Sequence, residues 1–148
     1  MGTERVGVIL RRCARGIVES WLALAKQSDL SVVPLSDEQR ARHIPRLVED
    51  LALRLSKSSA AMKDSDAIFS AAAVAHGKLR YLQGYTLAML VDESRITEAT
   101  VFGMLQDKLN SLDFSLLFPD VTAIADEVDG QLAQSMGGLH GAREGQCS

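Results

Sequence analysis

Apolar residues recur at three- and four-residue steps along most of this 148-residue chain, and no other feature limits the fold as strongly. Such steps place side chains on one face of an α-helix, whereas a half-buried strand requires alternation. The first apolar series consists of Val6, Ile9, Leu10, Cys13, Ile17, Trp21 and Leu24. This series predicts a long first helix from about Glu4 to Lys26, with Trp21 as a core residue.

Later segments repeat this spacing and carry signals that start or stop helices. Ser36 and Gln39 have the spacing of a capping box, and Pro45 fits the first turn of a helix. Gly84 weakens the third predicted helix, and Thr86 offers an N-cap for the fourth. Aromatic residues make up only 5% of the sequence, which disfavours a strand-rich sandwich. We therefore predict an all-α fold, a single bundle of about five to six helices, for which globin-like packing is one arrangement.

The last predicted helix runs from Pro119 to Met136, and its acidic residues, Glu127 among them, are expected on the outer face. After Met136 the periodic spacing stops and glycines become frequent. Glycine-rich segments without apolar periodicity behave as flexible linkers. We therefore divide the chain into a helical sensory or dimerisation domain, 1–136, and a flexible tail or linker, 137–148.

Polar residues lie on the packing side of the third predicted helix. His76, Arg80 and Gln83 follow one another at i, i+4 and i+7, on a face that also carries the apolar residues Phe69, Ala72, Ala73 and Leu79. Buried donors need acceptors. If the third and fourth helices pack antiparallel, Glu93 is the carboxylate that can pair with Arg80 or His76.

The region around these polar residues resembles a known family. Its most specific positions are His76, Gly77, Arg80, Gln83, Gly84, Tyr85, Leu90 and Glu93. This string is similar to the RsbRD-type N-terminal domain, an all-helical input module of stressosome co-antagonist proteins and of soluble sensor histidine kinases. The resemblance covers about Gly16 to Met136. The chain departs from the family pattern at Ser94 and Glu98, where the family has a Tyr and a second Arg.

The resemblance implies a non-catalytic input domain, sensory or interacting, of a cytoplasmic signal-transduction protein, with a sensor histidine kinase as the first expectation. It also implies a homodimer, in which we expect the first and last helices to pair, and a kinase or other output domain in the same chain. Two alternatives stay open. One is a stressosome-type scaffold that assembles partners without a ligand, and the other is a haem-binding, globin-like sensor.

Three interpretations compete for His76, Arg80, Gln83, Tyr85 and Glu93. The first is a hydrogen-bonded network that fixes the register of the helices. The second is a pocket for a small anionic or polar ligand, in which Arg80 binds charge and Tyr85 closes one side. The third is a haem site with His76 as ligand. The sequence argues against haem, because the His76 helix is lined mostly by alanine and the chain has only four phenylalanines. We predict no cofactor.

Several function classes are not expected from this sequence. No nucleophile stands beside a base and no His, Cys or carboxylate cluster has metal-ligand spacing, so we predict neither catalysis nor a metal site. His43 is expected to cap a helix or face solvent. A net charge of −3 offers no basic surface for nucleic acid, and no apolar run is long enough to span a membrane. Cys13 and Cys147 form no disulfide framework, which fits a reducing cytoplasm.

Overall fold

The computed structural model describes residues 5–56, 71–108 and 117–146. It confirms the all-α bundle, and no strand occurs among these residues. The helices are α1 Val6–Arg12, α2 Ala14–Gln27, α3 Asp37–Arg40, α4 Ile44–Ser56, α5 Ala71–Leu82, α6 Leu87–Asp107 and α7 Leu117–Gln146, with a 3₁₀ turn at Asp29–Val32. None of the described helices is both long and apolar enough to cross a lipid bilayer.

Helices α1 and α2 together form the predicted first helix, with one irregular residue between them. Cys13 has φ −100° and ψ 10°. Its N–H nevertheless donates to the Ile9 carbonyl at 2.9 Å, and its carbonyl accepts from the Ile17 N–H at 2.9 Å. The helical hydrogen-bond pattern therefore continues through Cys13. Trp21 is 1% exposed, which confirms it as a core residue, and its indole N–H donates to Thr97 Oγ1 at 3.1 Å.

The predicted capping box is present at the start of α3. Ser36 Oγ accepts from the Gln39 N–H at 3.1 Å, and Gln39 Oε1 accepts from the Ser36 N–H at 2.9 Å. Helix α4 begins at Ile44, so Pro45 lies in the first turn, where its missing N–H costs no intrahelical hydrogen bond. The buried face of α4 consists of Ile44, Leu47, Val48, Leu51, Ala52 and Leu55.

The helix break after α5 is also as predicted. Gly84 has φ +98°, a conformation that residues with a Cβ rarely adopt. The Thr86 hydroxyl then accepts from the Met89 N–H at 3.3 Å and caps α6. Because the connection between α5 and α6 is short, Glu93 of α6 lies beside His76 of α5.

Helix α7 is longer than the sequence predicts. It extends to Gln146, so the prediction of a flexible tail is wrong for residues 137–146, which belong to the helical domain. Leu139 is only 2% exposed, and Gly138 is also buried. Tertiary packing keeps this segment helical, although glycine alone weakens a helix.

Helices α5 and α7 cross in close backbone contact at two glycines. A Cβ added to Gly77 would lie 2.7 Å from the carbonyl carbon of Ser135, and one added to Gly138 would lie 3.0 Å from that of Val74. Such distances leave no room for a side chain. The Ser135 hydroxyl also donates to the Ala73 carbonyl at 3.0 Å. The two helices are therefore joined backbone to backbone.

The apolar core consists of two clusters. The larger joins α1, α2, α4, α5, α6 and α7, and its most enclosed residues include Val6, Ile9, Leu10, Trp21, Ala25, Val101 and Ile124. The smaller consists of Leu30, Val33, Tyr85, Leu90 and Leu139. Along α6 and α7, polar residues lie between members of the two clusters. The bundle therefore buries polar groups between two apolar regions.

Helix α7 buries polar side chains that the sequence does not place in the core. Glu127 is 4% exposed, so the prediction that it faces solvent is wrong. Its carboxylate lies 3.4 Å from Arg54 and accepts from Gln131 Nε2 at 3.0 Å. Burial raises the pKa of Glu127, although Gln131 and Arg54 oppose this rise. Gln131 also donates to the Leu47 carbonyl at 3.0 Å, which ties α7 to α4.

Candidate functional site

A layer of charged and polar side chains lies between the two apolar clusters. We call it the polar layer and define it as Arg40, His43, His76, Arg80 and Glu93. Four of these residues are at most 3% exposed, and His43 is half-buried. Charged groups seldom occur in a protein interior unless they are paired. The polar layer is therefore the strongest candidate for a functional site among the described residues.

Arg80 of α5 is fully enclosed by protein groups. Its Nη1 donates to Gln83 Oε1 at 2.7 Å, and its Nη2 donates to the Arg40 carbonyl. The same Nη2 lies 3.0 Å from Glu93 Oε2, an ion-pair distance without the alignment of a hydrogen bond. The Tyr85 ring covers the guanidinium, with 4.7 Å between Cζ and the ring centroid. The neighbours of Arg80 thus bind both Nη atoms, while its Nε has no hydrogen-bond partner among the described residues.

Glu93 of α6 joins Arg80 to His76. Its Oε1 hydrogen-bonds to Nε2 of His76, and its Oε2 faces Arg80. Burial raises the pKa of the Glu93 carboxyl, but the hydrogen bond and charge of His76 and the charge of Arg80 outweigh burial. The pKa therefore lies below its usual value, Glu93 is ionised at neutral pH, and His76 Nε2 supplies the hydrogen of the bond.

Arg40 and His43 complete the polar layer from the side of α3 and α4. Arg40 Nη1 donates to the Leu30 carbonyl at 3.1 Å, and Nη2 donates to the Val33 carbonyl at 2.7 Å. The His43 ring stands edge-on to the His76 ring, with the centroids 5.5 Å apart. His43 therefore packs against the polar layer and does not simply face solvent.

Tyr85 belongs to the smaller apolar cluster and contacts the polar layer through Arg80. It is 3% exposed, and its hydroxyl has no hydrogen-bond partner within the described part of the chain. Burial and the negative charge of Glu93 raise the pKa of the phenol to about 12. The phenol is therefore neutral at physiological pH, and its ring covers Arg80 without closing a ligand opening.

The polar layer contains more positive than negative charge. Arg40 and Arg80 are cationic side chains, whereas Glu93 is the one carboxylate of the layer. A proton on His43 adds to this excess in a region where charge is poorly solvated. Protonation is therefore the most direct way to disturb the layer.

Mild acidification is expected to destabilise the chain through His43. Burial lowers the pKa of His43. The positive charges of His76, Arg42 and Arg80 lower it further. The unfolded chain, with a histidine pKa of about 6.5, then binds the proton more readily than the folded chain. The free energy of unfolding therefore falls as the pH drops from about 6.5 through the folded pKa of His43.

Urea unfolding of the wild type and of His43→Gln, between about pH 5 and 7.5, tests this expectation. The stability of the wild type should fall relative to that of His43→Gln below about pH 6.5. His140→Gln is the matched control, because His140 is exposed on α7 and is the third of the three histidines. It should follow the wild type. Identical pH profiles for the wild type and His43→Gln would contradict the expectation.

A small cavity adjoins the polar layer where α4, α5, α6 and α7 meet, with a volume of about 30 Å³. Its polar lining consists of His76, Glu93, Ser94, Thr97, Gln131 and Ser135. Its apolar lining consists of Ile44, Leu47, Leu90, Val128 and Leu132. Drug-sized ligands occupy roughly 300 Å³ or more. The cavity therefore admits molecules of the size of water, but neither a haem nor an organic ligand.

The five site residues predicted from the sequence come together around one carboxylate. His76 and Arg80 contact Glu93, while Gln83 and Tyr85 contact Arg80. This arrangement links α3, α5 and α6, and it fits the interpretation as a network that fixes helix register. The His76 imidazole and the Glu93 carboxylate hydrogen-bond to each other through Nε2 and Oε1. Across the described ranges, no group of three or more His, Cys, Asp or Glu side chains could hold a metal ion.

Sequence reasoning missed Arg40, Gln131 and Ser135. The partners of Arg40 are backbone carbonyls, and no pattern of side chains in the sequence predicts such contacts. A signal for the other two does exist. Gln131 and Ser135 continue the apolar series of α7 at three- and four-residue steps from Val128 to Leu139. Polar residues at such positions face the core.

Comparisons of this chain with protein-family models, with curated proteins and with solved structures find no match. The resemblance noted in the sequence therefore stays a prediction. What the chain does has to be inferred from its own residues and their geometry.

Proposed function

We propose that this chain is a non-catalytic input domain of a signal-transduction protein, and that its parent is a sensor histidine kinase, as the sequence resemblance implies. In this proposal the chain acts in the cytoplasm as a homodimer. A change in the polar layer shifts α7, and α7 passes the shift to an output region of the same protein.

The observation that supports this proposal most directly is the position of the polar layer beside the crossing of α5 and α7. Glu93 of α6 pairs with two side chains of α5. The same helix α5 contacts α7 through the backbone at Gly77 and accepts a hydrogen bond from Ser135 at the Ala73 carbonyl. A change in the pairing of Glu93 can therefore reach α7 through a single helix.

The coupling requires little free energy. Allosteric coupling between two sites typically amounts to about 1–3 kcal/mol. Breaking a buried ion pair by removing one partner costs about 3–5 kcal/mol. A signal that weakens the Glu93 ion pairs only in part is therefore large enough to favour a different packing of α7.

The enclosure of Arg80 favours a second candidate, a stressosome-type scaffold that senses nothing. Its guanidinium is 0% exposed and already contacts Glu93 and Gln83. This leaves no site for an anionic ligand at Arg80. In the scaffold candidate the polar layer only fixes helix register, as buried ionic groups do in some proteins. The two candidates differ in whether a change near the polar layer alters an output.

A fusion protein tests the proposal. The end of α7 is joined in helical register to the dimeric catalytic core of a soluble histidine kinase, and autophosphorylation is measured. Ser135→Ala removes the hydrogen bond from α7 to the Ala73 carbonyl. Ala133→Ser is the matched control, because Ala133 is exposed on the same helix.

The proposal predicts a homodimer of the isolated chain by native mass spectrometry. It also predicts that Ser135→Ala changes the autophosphorylation rate about fivefold or more, the lower end of typical coupling, while Ala133→Ser leaves the rate unchanged. The scaffold candidate predicts the same homodimer, but equal autophosphorylation rates for the wild-type, Ser135→Ala and Ala133→Ser fusions. A chain that stays monomeric at micromolar concentration contradicts both candidates.

A further inference from the structure

We propose that the cavity between the polar layer and α7 is a binding site for about one or two water molecules, and that this water joins His76 and Glu93 to Ser135. The water would form a second physical link from the polar layer to α7. The role of this link in signalling rests on the proposed function. No residue pattern in the sequence predicts such a water site.

The polar groups that line the cavity come from the polar layer and from α7, the two parts that the water would connect. His76 of α5 and Glu93 of α6 come from the polar layer, while Gln131 and Ser135 come from α7. The Ser135 hydroxyl already donates its hydrogen to the Ala73 carbonyl, so its oxygen can only accept from a water molecule. The cavity therefore presents hydrogen-bonding groups of α7 to those of the polar layer.

Two buried polar side chains on the cavity wall lack a full set of hydrogen bonds. His76 is 3% exposed, and its Nδ1 has no hydrogen-bond partner among residues 5–56, 71–108 and 117–146. Glu93 is also 3% exposed, and its Oε2 forms an ion pair with Arg80 but has no aligned hydrogen bond among the same residues. Buried polar atoms nearly always have a partner, either protein or ordered water. Both side chains line the cavity, so water there is the partner that we assign to them.

The size and character of the cavity agree with this occupant. A water molecule needs roughly 10–15 Å³ of cavity volume and two to four polar partners. The cavity measures about 30 Å³ and has six polar residues in its lining. Apolar cavities stay dry, whereas polar cavities of this size hold water. Larger polar ligands do not fit.

The test combines a filled cavity with a direct count of internal water. Val128 is 2% exposed and lines the cavity, so Val128→Ile adds a methyl group where the water would lie. Val101→Ile is the matched control, because Val101 is equally buried in the larger cluster and is not part of the lining. Oxygen-17 magnetic relaxation dispersion reports long-lived internal water in the 148-residue chain and in each variant.

We expect a long-lived water signal in the wild type and in Val101→Ile, and its partial or complete loss in Val128→Ile. A wild type without long-lived water overturns the proposal, as does a Val128→Ile variant with an unchanged signal. The relaxation measurement involves no output domain. A negative result therefore contradicts the water site and leaves the proposed input function untouched. The proposed input function fails separately, if the fusion rates are equal.

Discussion

Glu93→Gln is expected to reduce the free energy of unfolding by about 3 kcal/mol, the lower end of the range for breaking a buried ion pair. The substitution keeps the shape of the side chain and removes its charge. Arg80, which is 0% exposed, would then retain a full positive charge without a carboxylate. Urea denaturation at neutral pH measures the effect, with unchanged m-values as evidence that the native state remains compact.

Asp92→Asn is the control for Glu93→Gln, since Asp92 is the preceding residue of α6 and is exposed. Its effect should stay within about 0.5 kcal/mol. The double variant Arg80→Met, Glu93→Gln should recover part of the lost stability, because replacing a buried ion pair as a whole is often nearly neutral. A loss below about 1 kcal/mol for Glu93→Gln would show that the pair contributes no more than a surface ion pair.

Gly138→Ala is expected to destabilise the chain by about 2 kcal/mol, within the range for overpacking a close contact. An added Cβ would lie 3.0 Å from the Val74 carbonyl carbon, and backbone atoms cannot move aside as a flexible side chain can. Helices α5 and α7 would have to separate. Gly77→Ala should have the same effect from the other side of the crossing, where the added Cβ meets Ser135.

Gly141→Ala provides the control on the same helix, three residues after Gly138. Among the described residues, no atom outside the local helix backbone and the adjacent residues lies within 4 Å of a Cβ added there. Alanine is the better helix former, so this variant should gain up to about 1 kcal/mol. Thermal or urea unfolding of the two variants should therefore give shifts of opposite sign. Equal shifts for Gly138→Ala and Gly141→Ala would contradict the close crossing of α5 and α7.

Features that depend on neighbouring residues could be predicted from the sequence. The capping box of Ser36 and Gln39, the turn at Gly84 and the cap at Thr86 are local, and the structure contains each of them. The contact of Glu93 with the third predicted helix also follows from local information. It needs only an amphipathic pattern on each helix and a short connection between the two helices.

Features that depend on distant backbone could not be predicted in this way. The sequence after Met136 has the composition of a linker, yet α7 stays helical there because Gly138 passes the backbone of α5. Glutamate is usually a surface residue, but Glu127 is buried because Arg54 and Gln131 bind its carboxylate in the interior. Such partners are known only when the tertiary fold is known.

Amide hydrogen exchange of α7 in Glu93→Gln tests the central claim, the coupling of the polar layer to α7, most directly. In Glu93→Gln we expect the opening free energies of α7 amides near Ser135 to decrease more than those of α4 amides near Leu51, whereas Asp92→Asn leaves both unchanged. An equal decrease in α4 and α7, as global destabilisation alone would produce, would contradict the coupling.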